Sequence, residues 1–339
     1  MSSHTDHNTP SPAHTPNTRN SPSTSNSPGS SPHASGDAAV VVAVDGSDHS
    51  LRALDWALAA ARSLGAPLTV AHVRPDALQL GGARIASLGR TPELPDTLLD
   101  ALAADVGARA EGIAVRYASL DGSVVDALSA AAAGARLLVV GSRGRGGFAS
   151  LLLGSTSRTL ASSAPCPVVV VPHEARAASL EIGAGAGRVL LGLHIEETDD
   201  VVVEFAFEAA RRRGVPLEVV TAYPVPPSPA LLIGAPAPAL QVPPPMPDET
   251  PELVDTTTRR QEERLRPFAA RHPEVEVIPT VTPADAAGRL VDDSREAGLL
   301  VVGRHRRHRV ETLLVGSVAH AVLHHASCPV AVVPPAQQP

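Results

Sequence analysis

The chain has 339 residues, a formal net charge of −7 and 43% hydrophobic content, and every long cationic side chain in it is arginine. That length suits two domains of ordinary size, and the acidic balance argues against a general nucleic-acid binder. Two cysteines make no disulfide framework, no run of eighteen apolar residues is present, and the first residues hold no signal-like apolar segment, so a cytoplasmic protein with no membrane partner is expected. Aromatic residues are only 2%, so the cores must be built from Ala, Val and Leu.

Residues 1–37 are Ser, Pro, Thr, Asn and His with hardly any large apolar side chain, a composition that cannot offset the entropy of ordering and predicts a disordered tail. Its His4, His7, His14 and His33 are irregularly spaced, which suits opportunistic metal contact better than a site. Ala38 to Val44 reads as a buried strand, and Asp45-Gly46-Ser47-Asp48-His49-Ser50 turns it into a helix from Leu51 to Leu64, capped by Ser50 or Asp48. Asp45 can accept hydrogen bonds from a ligand at the strand end or serve as a turn residue. Trp56 packs this helix on the sheet. A strand from Pro67 to Val73 follows, then an irregular insertion (74–95) suited to a flap, a helix (97–111), a strand (113–120) and a helix (124–133).

Leu137-Leu138-Val139-Val140 is a fourth buried strand, and it opens into G-S-R-G-R-G-G-F-A-S-L-L-L-G-S-T-S, residues 141–157. Glycines at 141, 144, 146 and 147 let backbone N–H groups converge on one concavity suited to an anion. Gly154-Ser155-Thr156 then stands where a helix begins, with its free donors and favourable dipole for phosphate. Strand, glycine loop and helix start together form a phosphate cradle, to which Arg143 and Arg145 add positive charge. A Walker A loop is excluded because it needs a lysine. A helix (156–163) and a strand (166–171) complete a β-α-β-α-β-α-β-α-β order, which means a doubly wound, Rossmann-like parallel sheet.

After a Gly/Ala-rich linker (174–187) the pattern repeats with strands 188–193, 216–222, 275–281, 299–302 and 328–333. Helices fall at 201–213, 253–271, 283–297 and 313–325, and a proline-dense loop occupies 224–247. Adding 162 carries Gly141 to Gly303, Gly154-Ser155 to Gly316-Ser317 and Cys166-Pro167 to Cys328-Pro329, which marks an internal duplication. The same offset carries Gly144 to Arg306, and matching the first strands sets His194 opposite Asp45 and Ile195-Glu196 opposite Gly46-Ser47. The second cradle is therefore expected to have lost its phosphate site. Its Arg/His loop (304–309) could grip phosphate, nucleic acid or an acidic partner by side chains, or be a solvated loop, which the lack of interleaved aromatics favours. His320 and His324 lie one helical turn apart without an evident third ligand, so a surface or interface pair is expected rather than zinc. Cys166 and Cys328 read as buried small residues.

The spacing Gly141-x-x-Gly144, nine residues, then Gly154-Ser155 is similar to the signature of the ATP-binding universal stress proteins, and the tract through Pro165-Cys166-Pro167-Val168 to Pro172 resembles the end of that domain. His72-Val73 resembles the family's His-Val pair. The resemblance implies two tandem universal stress protein domains of adenine nucleotide alpha hydrolase-like fold, 38–173 and 188–335. It further implies a cytoplasmic stress-response protein holding ATP, with Mg²⁺. Nucleotide-binding positions would be Ala43, Asp45, Gly46, Ser47, Val73, Gly141, Ser142, Arg143, Gly144, Gly154, Ser155 and Thr156. It also implies antiparallel pairing of the two domains through their fifth strands, with a homodimer and a protein partner as further possibilities. No catalytic constellation stands out, so the expectation is a regulatory nucleotide binder, with a slow Mg²⁺-dependent ATP hydrolase or a nucleotide-free interaction module as alternatives.

Overall fold

Short runs of Val, Leu and Ile bounded by Gly, Pro or Asp are too brief for helices, and pair instead. The computed structural model describes residues 38–74, 95–145, 153–173, 187–223, 249–283, 285–304 and 316–336, with the side chains of 249 and 250 excepted. The tail, the expected flap, the linker, the proline-dense loop and most of the Arg/His loop lie outside the described residues. The first half runs β1 (Val40–Ala43), α1 (Asp48–Leu64), β2 (Leu68–Arg74), α2 (Thr97–Arg109), β3 (Val115–Asp121), α3 (Val124–Ala131), β4 (Leu137–Gly141), α4 (Ser155–Ser163) and β5 (Val168–Val171). The second runs β6 (Arg188–Gly192), α5 (Asp200–Arg213), β7 (Leu217–Tyr223), α6 (Glu249–Arg271), β8 (Val277–Pro283), α7 (Ala286–Asp293), β9 (Ala297–Gly303), α8 (Ser317–His325) and β10 (Val330–Val333).

The expected doubly wound α/β architecture is present. Its strands form a single ten-stranded sheet in the order β3-β2-β1-β4-β5-β10-β9-β6-β7-β8. Pairing is parallel within each half, and one antiparallel ladder, Val168 to Val170 against Val332 to Val330, joins them. The register also defines which residues correspond: Val40 pairs with Leu68 and Leu137, and Val189 pairs with Leu217 and Leu299.

Alternation along the strands divides the core between two faces. Val40, Val42, Leu137 and Val139 join α1, α2, α5 and α6 in one apolar cluster. Val41, Leu138 and Val140 join α3, α4, α7 and α8 in the other. Each cluster runs through both halves, so neither half has a core of its own on either face. Trp56 belongs to the first cluster at 2% exposure, as its expected role on the sheet requires. Phe207 is fully buried there and stacks on Phe268 and His272 at ring separations of 6.0 and 5.6 Å. Both cysteines are buried, and desolvation pushes their thiols up to about 11 for Cys166 and about 12 for Cys328, so neither is poised as a nucleophile.

Several boundaries differ from the sequence reading: the expected strand 275–281 is β8 at Val277–Pro283, the expected helix 283–297 shortens to α7 at Ala286–Asp293, and the expected strand 299–302 extends to β9 at Ala297–Gly303. Helix α1 is capped by Ser47, whose Oγ accepts from the Ser50 amide at 3.3 Å, rather than by Asp48 or Ser50. Asp45 draws Ser47 into that role by accepting from its amide and hydroxyl, and Ser50 instead donates its hydroxyl to the Ser47 carbonyl at 2.8 Å.

Phe207→Ala is expected to cost about 3–5 kcal/mol, as the loss of a large buried ring does. Because the core is shared, urea unfolding followed by the fluorescence of Trp56, in the other half, should move its midpoint as far as unfolding followed by circular dichroism.

Candidate functional site

In the first half the chain leaves β1 toward β2 and β3, then returns to the other side of β1 for β4 and β5. The carboxyl ends of β1 and β4 therefore splay apart at a reversal of strand order, the place where open α/β sheets form a crevice. Ala43 ends β1, and Asp45, Gly46 and Ser47 lead out of it. Val73 lies near the end of β2, Gly141 ends β4, and Ser142, Arg143 and Gly144 follow; Gly154 caps α4, and Ser155 and Thr156 start it. All twelve residues are thus on one edge of the sheet. Ala43 and Val73 are half-buried and pack downward on the core of the second face.

Hydrogen bonds tie the three segments together. The Gly154 amide donates to the Ser142 carbonyl at 2.7 Å, and the Ser157 hydroxyl to the Gly141 carbonyl at 2.7 Å. The Arg145 amide donates to Asp45 Oδ2 at 2.9 Å, and Asp45 Oδ1 accepts from the Ser47 amide at 3.0 Å and hydroxyl at 2.6 Å. Burial pushes the Asp45 carboxyl up, but the donors on Ser47, Arg145 and Ser50 outweigh it and hold the group below its usual value. Asp45 is thus a carboxylate that pins the glycine loop to the end of β1.

Glycine is sterically required at two points. A Cβ on Gly141 would come within 2.6 Å of the His49 carbonyl oxygen, and one on Gly144 within 2.6 Å of Asp45 Oδ2. Gly154 is different. Its φ of −73° suits any residue, and a Cβ there would meet nothing of the described chain closer than 3.4 Å. Helix α4 has no capping side chain and no acidic residue in its first turn, whereas α1 and α2 are capped by Ser47 and Asp96. Among the described residues no side chain caps its N-terminal amides, an arrangement that accepts an anion.

A family model for the universal stress protein family matches residues 38–172 and again 186–334. The chain belongs to the universal stress protein family. A universal stress protein of Mycolicibacterium smegmatis is 32% identical over 304 residues, covering 87% of this chain and 97% of the relative. One from Mycobacterium tuberculosis is 29% identical over 317 residues, with 88% and 96% covered. Among solved structures, a universal stress protein from Archaeoglobus fulgidus superposes with a TM-score of 0.59 at 18% identity, covering 88% of this chain and 98% of that one, a likeness of fold.

Two residues outside the sequence-derived set help build this universal stress protein site. His49 stands on the first turn of α1; its carbonyl lies against Gly141, its Nδ1 is 3.4 Å from Ser142 Oγ, and its ring is 4.4 Å from that of His173. Burial, then His173 and Arg143, push its imidazole down toward the neutral form. Asp96 caps α2 through the Leu99 amide, accepts from Ser119 Oγ at 2.8 Å and meets His72 Nδ1 at 2.8 Å, which fixes the end of β2 next to Val73. Neither carries a motif; only an Asp followed by a helical period after the insertion hinted at Asp96 as a cap.

The corresponding edge of the second half differs after β6, although α8 starts as α4 does, at a glycine (Gly316) with no capping side chain and no acid in its first turn. His194 occupies the position of Asp45, and its Nδ1 accepts from the Glu197 amide at 3.2 Å while its own amide donates to Thr198 Oγ1 at 2.9 Å. The two helices end alike, at Gly65 and Gly214 with φ of 59° and 62°, but α1 has 17 residues and α5 has 14, so α5 starts three residues late. Glu196 is engaged by Arg260 from α6. A Cβ on Gly303 would meet only a Val202 methyl at 3.3 Å, so the tight approach seen at Gly141 is relaxed. Arg304, aligned with Ser142, keeps the main-chain bond to the end of its sheet, donating from its amide to Val333 at 2.9 Å as Ser142 does to Val171. Its guanidinium reaches across the seam to the Ala164 carbonyl at 2.8 Å. That assigns the first arginine of the basic loop to holding the halves together; Arg306 and the rest of that loop lie outside the described residues. Among the described residues no group of three His, Cys, Asp or Glu could hold a metal, and His320 and His324 simply lie ring to ring at 4.4 Å.

Gly141→Ala should cost about 1–3 kcal/mol through overpacking against backbone, and Gly303→Ala less than about 1 kcal/mol, measured by chemical denaturation. The advantage of wild type over Asp45→Asn should be full above the usual Asp value of 3.8 and disappear as pH falls through the lower folded value. Melting curves of the two proteins between neutral pH and pH about 2 read this directly.

Proposed function

We propose that this universal stress protein is a regulatory protein that binds ATP, with Mg²⁺, in the first of two tandem domains (38–173), while the second (188–335) is its structural partner. The observation that carries this reading is the Asp45 carboxylate holding the start of the glycine loop beside the uncapped N-terminus of α4, a pairing that His194 replaces in the second half. The first turn of α4 has no internal cap or acid, and Gly154 leaves space that the described chain does not itself need. Phosphate oxygens would be held there by the amides of 155–157, the hydroxyls of Ser155 and Thr156 and the loop Gly141–Gly144. Asp45 would accept from the ribose or base, and Ala43 and Val73 would offer the base an apolar wall. Three or four such donors, at roughly 1.5–3 kcal/mol each, are enough for affinity on the order of micromolar. Magnesium would enter with the phosphates rather than on a preformed ligand set.

Against this, the later start of α5, His194 in place of Asp45 and the diversion of Arg304 to the seam support a second domain without the same pocket. The β5–β10 ladder supports an intramolecular pairing of the two domains, so that occupancy in one can be felt at a surface built by both. Stress response and a protein partner follow from that regulatory reading.

Isothermal calorimetry with ATP and Mg²⁺ tests it on the whole chain. Wild type should give saturable heat, and Gly154→Val, whose Cβ would meet the described chain no closer than 3.4 Å, should bind at least tenfold more weakly with an unchanged circular dichroism spectrum. Equal heats from the two proteins would overturn the proposal.

A further inference from the structure

Away from the crevice, α1 and α5 lie side by side across the seam on the first face of the sheet, and they do not close completely. A cavity of about 190 Å³ remains between them, walled by Trp56 and Ala60 of α1, Leu137 of β4, Phe205 and Ala209 of α5, and Leu299 of β9. Arg213 is among the residues that line it. Arg213, the last residue of α5, is 3% exposed, and among the described residues it has neither a hydrogen-bond acceptor nor an ion-pair partner; its Nε is explicitly unsatisfied. The indole Nε1 of Trp56, on the opposite wall, is also buried without a partner.

The other charges around the cavity are already committed. Glu208, the only carboxylate lining it, is bound by Arg211 at 2.7 Å and by Arg212 at 2.5 Å. Arg212 also donates to the Ser63 carbonyl at 3.1 Å, and Arg136 to that of Leu64 at 3.4 Å. Arg213 receives partial compensation from the Trp56 ring, 5.8 Å away, and from the negative end of its own helix. The amides of Gly214 and Val215 take the Arg211 and Ala210 carbonyls of that helix. A buried cation whose Nε has no acceptor is costly. Burial pushes its titration down to about 10, well below the usual arginine range and still far above neutrality, so the charge is retained.

From this geometry we infer a second ligand site, between the two halves, that takes a small apolar monocarboxylate: a ring or branched chain against Trp56, Phe205 and Leu299, with its carboxylate on Arg213. Size limits the class. A cavity of about 150 Å³ is enough for benzene, so this one suits a group of about the bulk of benzoate. A fork of guanidinium donors fits a carboxylate in bidentate fashion. Because α1 carries Ser47 and His49 at its other end and α5 belongs to the second half, an occupant here would touch both halves without entering the crevice.

Trp56 is the only tryptophan, so its emission reports on the cavity of the full-length protein. Titration with benzoate should change that emission saturably, and benzamide, of the same shape but uncharged, should bind at least tenfold more weakly. Arg213→Met, which keeps the stem and removes the charge, should lose at least tenfold in benzoate affinity. Ala209→Leu, which fills the space and leaves Arg213 in place, should abolish the response, whereas Gly154→Val should respond as wild type does. Benzamide binding as tightly as benzoate, Arg213→Met or Ala209→Leu retaining wild-type affinity, or no saturable change with wild type would each overturn the site. The benzamide comparison needs no variant, so it decides the matter even if a substitution prevents folding.

Discussion

The antiparallel ladder between β5 and β10 is the interaction on which the rest of the molecule depends. Val168 to Val171 and Val330 to Val333 are short, apolar and buried on both faces. Left at the edge of a five-stranded sheet, either would present unpaired amides and carbonyls and a run of valines to any passing strand. Paired with each other, they turn two edges into the centre of one sheet and let both apolar clusters continue from one half to the other. Arg304 and Arg212 add bonds to Ala164 and Ser63 at the ends of this seam, each from a guanidinium to a carbonyl that no helix or strand partner needs.

Duplication gave the two halves the same scaffold, and the scaffold tolerated different chemistry at its open edge. In the first half a carboxylate, a serine and two crowded glycines draw the loops after β1 and β4 into contact. In the second, a histidine ring takes the carboxylate's position, the helix starts three residues later and the neighbouring glycine is loosely packed. The strands and helices beneath hardly differ in register. The two halves therefore differ in a few loop residues at their open edges while sharing the scaffold beneath.

The seam also concentrates unpaired polarity. Helix pairs that meet across a pseudo-symmetric boundary must fit each other as well as their own sheet, and with few aromatic side chains available the space between α1 and α5 is incompletely filled. Arg213 lines that space where an apolar residue would have served packing better. A buried charge without a partner is a local inconsistency of the kind found at functional sites.

Much of this was legible in the residues. The alternation of apolar runs and helical periods, the offset of 162 between the halves and the glycine spacing after β4 determined the doubly wound class, the repeat and the edge on which the crevice lies, because each is a local pattern tied to one backbone geometry. Gly141 and Gly144 were legible as a loop that needs glycine, though not that one is held by a histidine carbonyl and the other by Asp45. What only the tertiary structure decided involves residues far apart in the chain. These are the role of Asp96 between β2, β3 and α2, the turn of Arg304 toward Ala164, and the meeting of Trp56 with Arg213. Arg213 in particular reads as the last of three ordinary arginines at a helix end, where cations are favoured. Its isolation arises only when the sheet closes at β5 and β10 and brings α1 over it, for burial is a property of the assembled layers and not of any segment within them.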